Sequence, residues 1–132
     1  MFELKYDPLV PPDPEEWLKL DESEKIFIIQ KYHEDAGIEI EGMDMHAILH
    51  QIVENQLAQE LPDVEEAMER LQFQGLDRHE AIHAISTVLL NFFWELIQEG
   101  KDLNGLDPNE AYFRELRKLT KKSWYREMRK QK

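Results

Sequence analysis

Residues 77–100 read DRHEAIHAISTVLLNFFWELIQEG, and both ends of a helix can be seen in them. Asp77 followed three positions later by Glu80 is a capping box, in which each side chain takes a backbone N–H that the first helical turn leaves without an intrahelical partner. Beyond it Ile82, Ile85, Leu89, Leu90, Phe93 and Ile97 recur at three- and four-residue spacing, which is one apolar face of a 3.6-residue period. Gly100 is the expected stop.

The same punctuation continues outward in both directions. Asp44 is the expected cap of a helix running to about Glu60. Pro62-Asp63 then breaks the chain, and a further helix over about Val64 to Phe73 ends at Gly75. Asp21-Glu22-Ser23-Glu24 opens a helix to about Ala36, with Gly37 after it, and Ile38-Glu39-Ile40-Glu41-Gly42 reads as extended connection. Asp13-Pro14-Glu15-Glu16 predicts a short turn with proline at its first position. Asp107-Pro108-Asn109-Glu110 opens a last helix that carries a basic C-terminal segment. No window alternates long enough to argue for a sheet, so the expected class is all-α, a single bundle of about five helices. Residues 1–113 would form the bundle core and 114–132 a basic helix or tail of the same domain. Phe92, Phe93 and Trp94 fall at helical spacing and are expected in the core.

Composition excludes several classes. The chain has 132 residues, 42% of them hydrophobic, which is enough for one sizeable core. Its longest apolar stretch, Ala81 to Trp94, is interrupted by His83, Ser86, Thr87 and Asn91, so no membrane-spanning helix is expected. Met1-Phe2-Glu3-Leu4-Lys5 has the form of no export signal, and the expected location is the cytoplasm. The absence of cysteine removes disulfides, thiolate ligands and a cysteine nucleophile together. Net charge is unevenly spread: residues 1–113 sum to −19 and residues 114–132 to +7. A body this acidic repels nucleic acid, so a polyanion could be met only through the basic tail, which can equally lie in solvent or pair with its own chain.

The chemical signal is in the five histidines. His46 and His50 are four residues apart on one predicted helix, and His79 and His83 are four apart on another, a spacing that puts two imidazoles on one face a single turn apart. Both pairs lie within or at the edge of the apolar arc of their helices, and His33 lies between Ile26 and Ile29 on the apolar face of the first long helix. Short connections make successive helices antiparallel, which should bring all five to one end of the bundle. Helix N-termini favour the neutral imidazole that binds metal. The expected ligands are therefore His46, His50, His79 and His83 with Glu54 as a fifth, His33 and Glu80 as further candidates, and Glu34, Asp35, Glu39 and Asp44 within reach of an outer shell. Imidazole and carboxylate suit Zn, Fe, Ni or Mn. The competing account is a structural network of buried imidazoles in a non-enzymatic interaction module whose basic tail docks a partner.

His79-Glu80-Ala81-Ile82-His83 also spells the H-E-x-x-H of zinc peptidases, in which the glutamate is general base. The expected role of Glu80 is instead the capping box begun by Asp77, and no edge strand that could hold a peptide is legible in the sequence. Whether any reaction is catalysed stays open at this level.

The order of candidate ligands resembles the hemerythrin family, four-helix bundles with a His, then H-x3-E, H-x3-H and H-x4-D around two irons. His33, His50 with Glu54, and His79 with His83 match the first three elements. No histidine follows His83, so the fourth is missing, and an extra helix separates the second and third; the resemblance implies a mononuclear site. Residues 44–119 also resemble an uncharacterised bacterial domain-of-unknown-function family. That likeness rests on His46-Ala47-Ile48-Leu49-His50 leading to Glu54-Asn55-Gln56, and on Arg78-His79-Glu80-Ala81-Ile82-His83. It implies a site without implying a reaction.

Overall fold

The computed structural model describes residues 5–38, 42–99 and 108–130, with side chains from 95–99, 108–109 and 130 left aside. Among the described residues there are seven helices and no strand. The all-α class is as expected, and the helix count exceeds the five predicted. The chain divides into two compact units, Met1–Leu61 and Pro62–Lys132.

The first unit contains α1 (Pro14–Lys19), α2 (Glu22–Asp35) and α3 (Met43–Ala58). Asp13 caps α1 by accepting from the Glu16 N–H, and Asp21 caps α2 by accepting from Glu24 N–H, each satisfying an orphan donor of the first turn. What reads as a short turn at Asp13 is thus a real helical segment. It exists to deliver Trp17, which is fully buried with Tyr6, Ile29 and Ala47. Trp17 Nε1 donates to Asn55 Oδ1 at 2.9 Å, and Lys25 Nζ donates to the same oxygen at 3.0 Å while lying over the Trp17 ring. One amide of α3 therefore holds both preceding helices. Asp44 is not the cap expected for α3. Gly42 takes the position before the helix with φ 73°, and Asp44, two residues later, accepts from Gln30 Nε2 on α2 at 2.9 Å. Glycine suits that left-handed residue because it has no Cβ to clash. Of the connection predicted after Gly37, residues 39–41 lie outside the described residues.

The second unit contains α4 (Pro62–Phe73), α5 (Arg78–Glu99), α6 (Pro108–Lys118) and α7 (Lys121–Lys130). The capping box of α5 is formed as predicted: Glu80 N–H donates to Asp77 Oδ1 at 2.8 Å, and Asp77 N–H donates to Glu80 Oε1 at 3.2 Å. The predicted cap Asp107 and the predicted stop Gly100 lie outside the described residues.

The basic C-terminal segment is two helices, not one helix with a frayed tail. Thr120 and Ser123 cap each other reciprocally at the start of α7, which breaks the helix at Leu119. Arg70 reinforces the end of α6: its Nη1 donates to Leu119 O at 2.7 Å and to Leu116 O at 3.0 Å, the latter already accepting from Leu119 N–H. Leu116, Leu119 and Trp124 are buried, and Lys121 N–H donates to Gln74 Oε1. Arg117 lies between Asp63 and Glu110, whose carboxylates hold its guanidinium pKa above the ordinary arginine value. The positive charge of 114–132 is thus partly spent within its own unit.

The expectation that Phe93 and Trp94 are core residues is wrong: they are 38% and 61% exposed, and Leu90 beside them is 40% exposed. The buried face of α5 runs through Ala81, Ile82, Ile85 and Leu89. The apolar sequence at 89–94 is broader than the face this helix buries. No helix among the described residues is long and apolar enough to cross a membrane.

Candidate metal centre

Three of the predicted histidines meet inside the first unit. His33 is in the last turn of α2, fully buried, and its Nδ1 lies 2.8 Å from the carbonyl oxygen of Ile29 one turn earlier. A carbonyl can only accept, so His33 Nδ1 carries the hydrogen, and in that tautomer the lone pair is on Nε2. The Nε2 of His46, in the first turn of α3, lies 3.2 Å from that Nε2. Two nitrogens bound to one tetrahedral zinc at about 2.0–2.1 Å are separated by roughly 3–3.5 Å, so this pair already has the spacing of two ligands. His50 is one turn further along α3 and fully buried, its ring stacked edge-on to His33 and His46 with centroids 5.6 and 5.7 Å away.

Around His50 stand two groups of different origin. Tyr6, from the segment ahead of α1, places its hydroxyl 2.6 Å from His50 Nε2 and donates to Glu54 Oε2 at 2.5 Å. Glu54 is 1% exposed. It was expected as a direct ligand; the structure places its carboxylate on the Tyr6 hydroxyl. Tyr32 packs edge-on against both Tyr6 and His33. Tyr6 and Tyr32 also form one wall of a cavity of about 760 Å³ whose other lining includes Leu20, Phe27, Ile28 and Lys31. The two tyrosines therefore touch the imidazoles and that cavity at once.

The other two histidines belong to the second unit. His79 and His83 occupy the first two turns of α5, with ring centroids 4.2 Å apart, the side-by-side arrangement that their spacing predicts. Glu80 between them is engaged with the Asp77 backbone as described above. Among the described residues all five histidines are candidates to hold a metal ion, each offering one ring nitrogen; His33, His46 and His50 belong to the first unit, and His79 and His83 to the second.

No family model, curated protein or solved structure matches the chain. Its chemistry is carried by its own residues.

Of the outer-shell carboxylates expected from the sequence, Asp44 is engaged with Gln30, and Asp35 pairs with Lys31 at 3.8 Å. Glu34 is exposed, and Glu39 lies outside the described residues. Tyr6 is the residue that sequence reasoning missed. It sits before Pro8 in a stretch with no periodicity, and nothing local marks it as part of a site.

Proposed function

We propose that this chain is a helical metal-binding protein whose centre is built from imidazole, with His33, His46 and His50 as the ligand set of the first unit and His79 and His83 as a candidate pair of the second. The observation that carries the reading is the 3.2 Å approach of two imidazole nitrogens, His33 Nε2 and His46 Nε2, where the first ring has its other nitrogen bonded to Ile29 O. Metal-bound histidines almost always donate their second N–H to a carbonyl, carboxylate or water, which fixes the tautomer and the ring direction. His33 has that arrangement, and His46 and His50 stand beside it within the same unit. A nitrogen-rich, sulfur-free set suits Zn, Fe, Ni or Mn. The resemblance to hemerythrin-like and uncharacterised bacterial families remains part of this proposal, with a mononuclear centre as its implication.

The test is elemental analysis of the full chain purified without an affinity tag, followed by titration of the metal-free protein with zinc. Near-stoichiometric metal that resists dialysis supports the reading. A protein that carries no metal and takes up none of Zn, Fe, Ni or Mn overturns it. The second reading, a structural imidazole network in an interaction module, would then hold, since one Nε2–H between His46 and His33 makes a complete hydrogen bond with no ion. The exposed basic residues of α7, Lys122, Arg126 and Arg129, would be its docking face.

A further inference from the structure

We infer that Tyr6 is a positioning residue of this centre: its hydroxyl, held by Glu54, fixes His50 as the Nε2–H tautomer and so assigns His50 Nδ1, in contrast to His33 Nε2, as the ligating nitrogen. Only the last clause rests on the metal reading. The tautomer itself exists with or without an ion.

The argument is a count of protons. A tyrosine hydroxyl has one hydrogen to give and lone pairs to receive. A carboxylate oxygen only accepts, so the 2.5 Å contact with Glu54 Oε2 uses the Tyr6 hydrogen. Toward His50, 2.6 Å away, the Tyr6 oxygen can then only accept, and His50 Nε2 must be the donor. A neutral imidazole with its hydrogen on Nε2 has its lone pair on Nδ1. For His33 the same reasoning runs in the opposite sense, because the Ile29 carbonyl claims the Nδ1 hydrogen and leaves the lone pair on Nε2. Two neighbouring histidines are thus set to opposite tautomers by different devices, one by its own helix backbone and the other by a tyrosine from outside the helices.

Glu54 acquires a role that the sequence reading did not give it. It works through Tyr6 as the anionic end of a carboxylate–phenol–imidazole chain, and such outer partners orient the ligand and raise its basicity. Neither residue needs to touch the ion.

The experiment is a long-range proton–nitrogen correlation spectrum of the uniformly 15N-labelled full chain, first free of metal and then with zinc added. The expected result is a hydrogen on Nε2 of His50 and on Nδ1 of His33 in the metal-free protein, with His50 Nδ1 moving to a metal-bound shift when zinc is added. In Tyr6→Phe the fixed His50 tautomer is lost, and zinc affinity falls by about 10–100-fold, the usual effect of removing an outer-shell partner. The His33 pattern stays as it was. A hydrogen on His50 Nδ1 in the wild-type protein overturns the inference, as does a Tyr6→Phe variant with both tautomer and affinity unchanged. Should Tyr6→Phe not fold, the wild-type spectra still decide. Zinc that shifts none of the imidazoles while His50 remains Nε2–H overturns the metal reading and leaves the tautomer assignment standing.

Discussion

His33 and His46 approach through like atoms, Nε2 to Nε2, across 3.2 Å. Such a contact has two satisfied forms, one bridging hydrogen or one shared ion. If the ion is the functional occupant, His46→Ala removes a ligand and should lower zinc affinity by more than the about 10–100-fold expected for an outer-shell partner. His46 is only partly buried, so far-ultraviolet circular dichroism should show the helices intact. Zinc competition against a chromophoric chelator measures the affinity. An undiminished affinity removes His46 from the ligand set.

The i, i+4 pair on α5 can be tested in the same assay. Replacing both His79 and His83 by Ala should remove whatever zinc the second unit's pair holds and leave the hydrogen bond between His33 and His46 in place. If the double variant binds zinc as the wild type does, the centre consists of the first unit's histidines alone.

Asn55 Oδ1 receives Trp17 Nε1 and Lys25 Nζ together, so Asn55→Ala strands an indole N–H and an ammonium in a largely buried setting. Leaving buried donors unsatisfied costs about 1–3 kcal/mol each, more when the group is charged. Denaturant titration should show a loss in that range. Asn55→Asp keeps an acceptor for both and should lose much less.

The C-terminal segment should prove structural. Deleting residues 121–132 removes buried Trp124 and the hydrogen bond between Lys121 and Gln74. Large-to-small changes at buried tryptophans cost about 3–5 kcal/mol, so the truncated chain should melt well below the full one. Unchanged thermal stability would show that α7 is an appendage after all.

Glu80→Gln should be nearly silent. Glutamine also fills the third position of a capping box, so the cost should stay under about 1 kcal/mol. A hydrolytic activity that is present in the wild type and absent in this variant would instead make Glu80 a catalytic base.

Helix boundaries were legible in the sequence wherever a side chain caps its own backbone. Asp21, Asp77 and Gly37 stand where local chemistry put them, because each needs only neighbours three or four residues away. The i, i+4 histidine pairs were legible for the same reason. What could not be read depends on partners distant in the chain. Asp44 looked like a cap, but it is used by Gln30 on another helix. Thr120 and Ser123 are a weaker signal than an Asp–Glu capping box, and the end of α6 before them is reinforced by Arg70 from 46 and 49 residues away. Phe93 and Trp94 fit an apolar period, yet which arc of a helix is covered is decided by what packs on it. Glu54 was expected as a ligand, and its contact with the Tyr6 hydroxyl, 48 residues away, was not legible because no local pattern marks it.

Tyr6 meets His50 across 44 residues of chain and Glu54 across 48. Closing a loop of that length costs entropy that no local contact refunds, whereas α2 and α3 gain a hydrogen bond for nearly every residue they fix. The helices can therefore form on the time scale of local structure, while the clasp of Tyr6 waits on the slower search for a distant partner. During synthesis the order is stricter still: Tyr6 leaves the ribosome first and has nothing to hold until Glu54 has followed. The histidines can all be present on folded helices before the tautomer of His50 is fixed. On the metal reading, His50 becomes a fixed ligand only once the N-terminal segment has docked on α3.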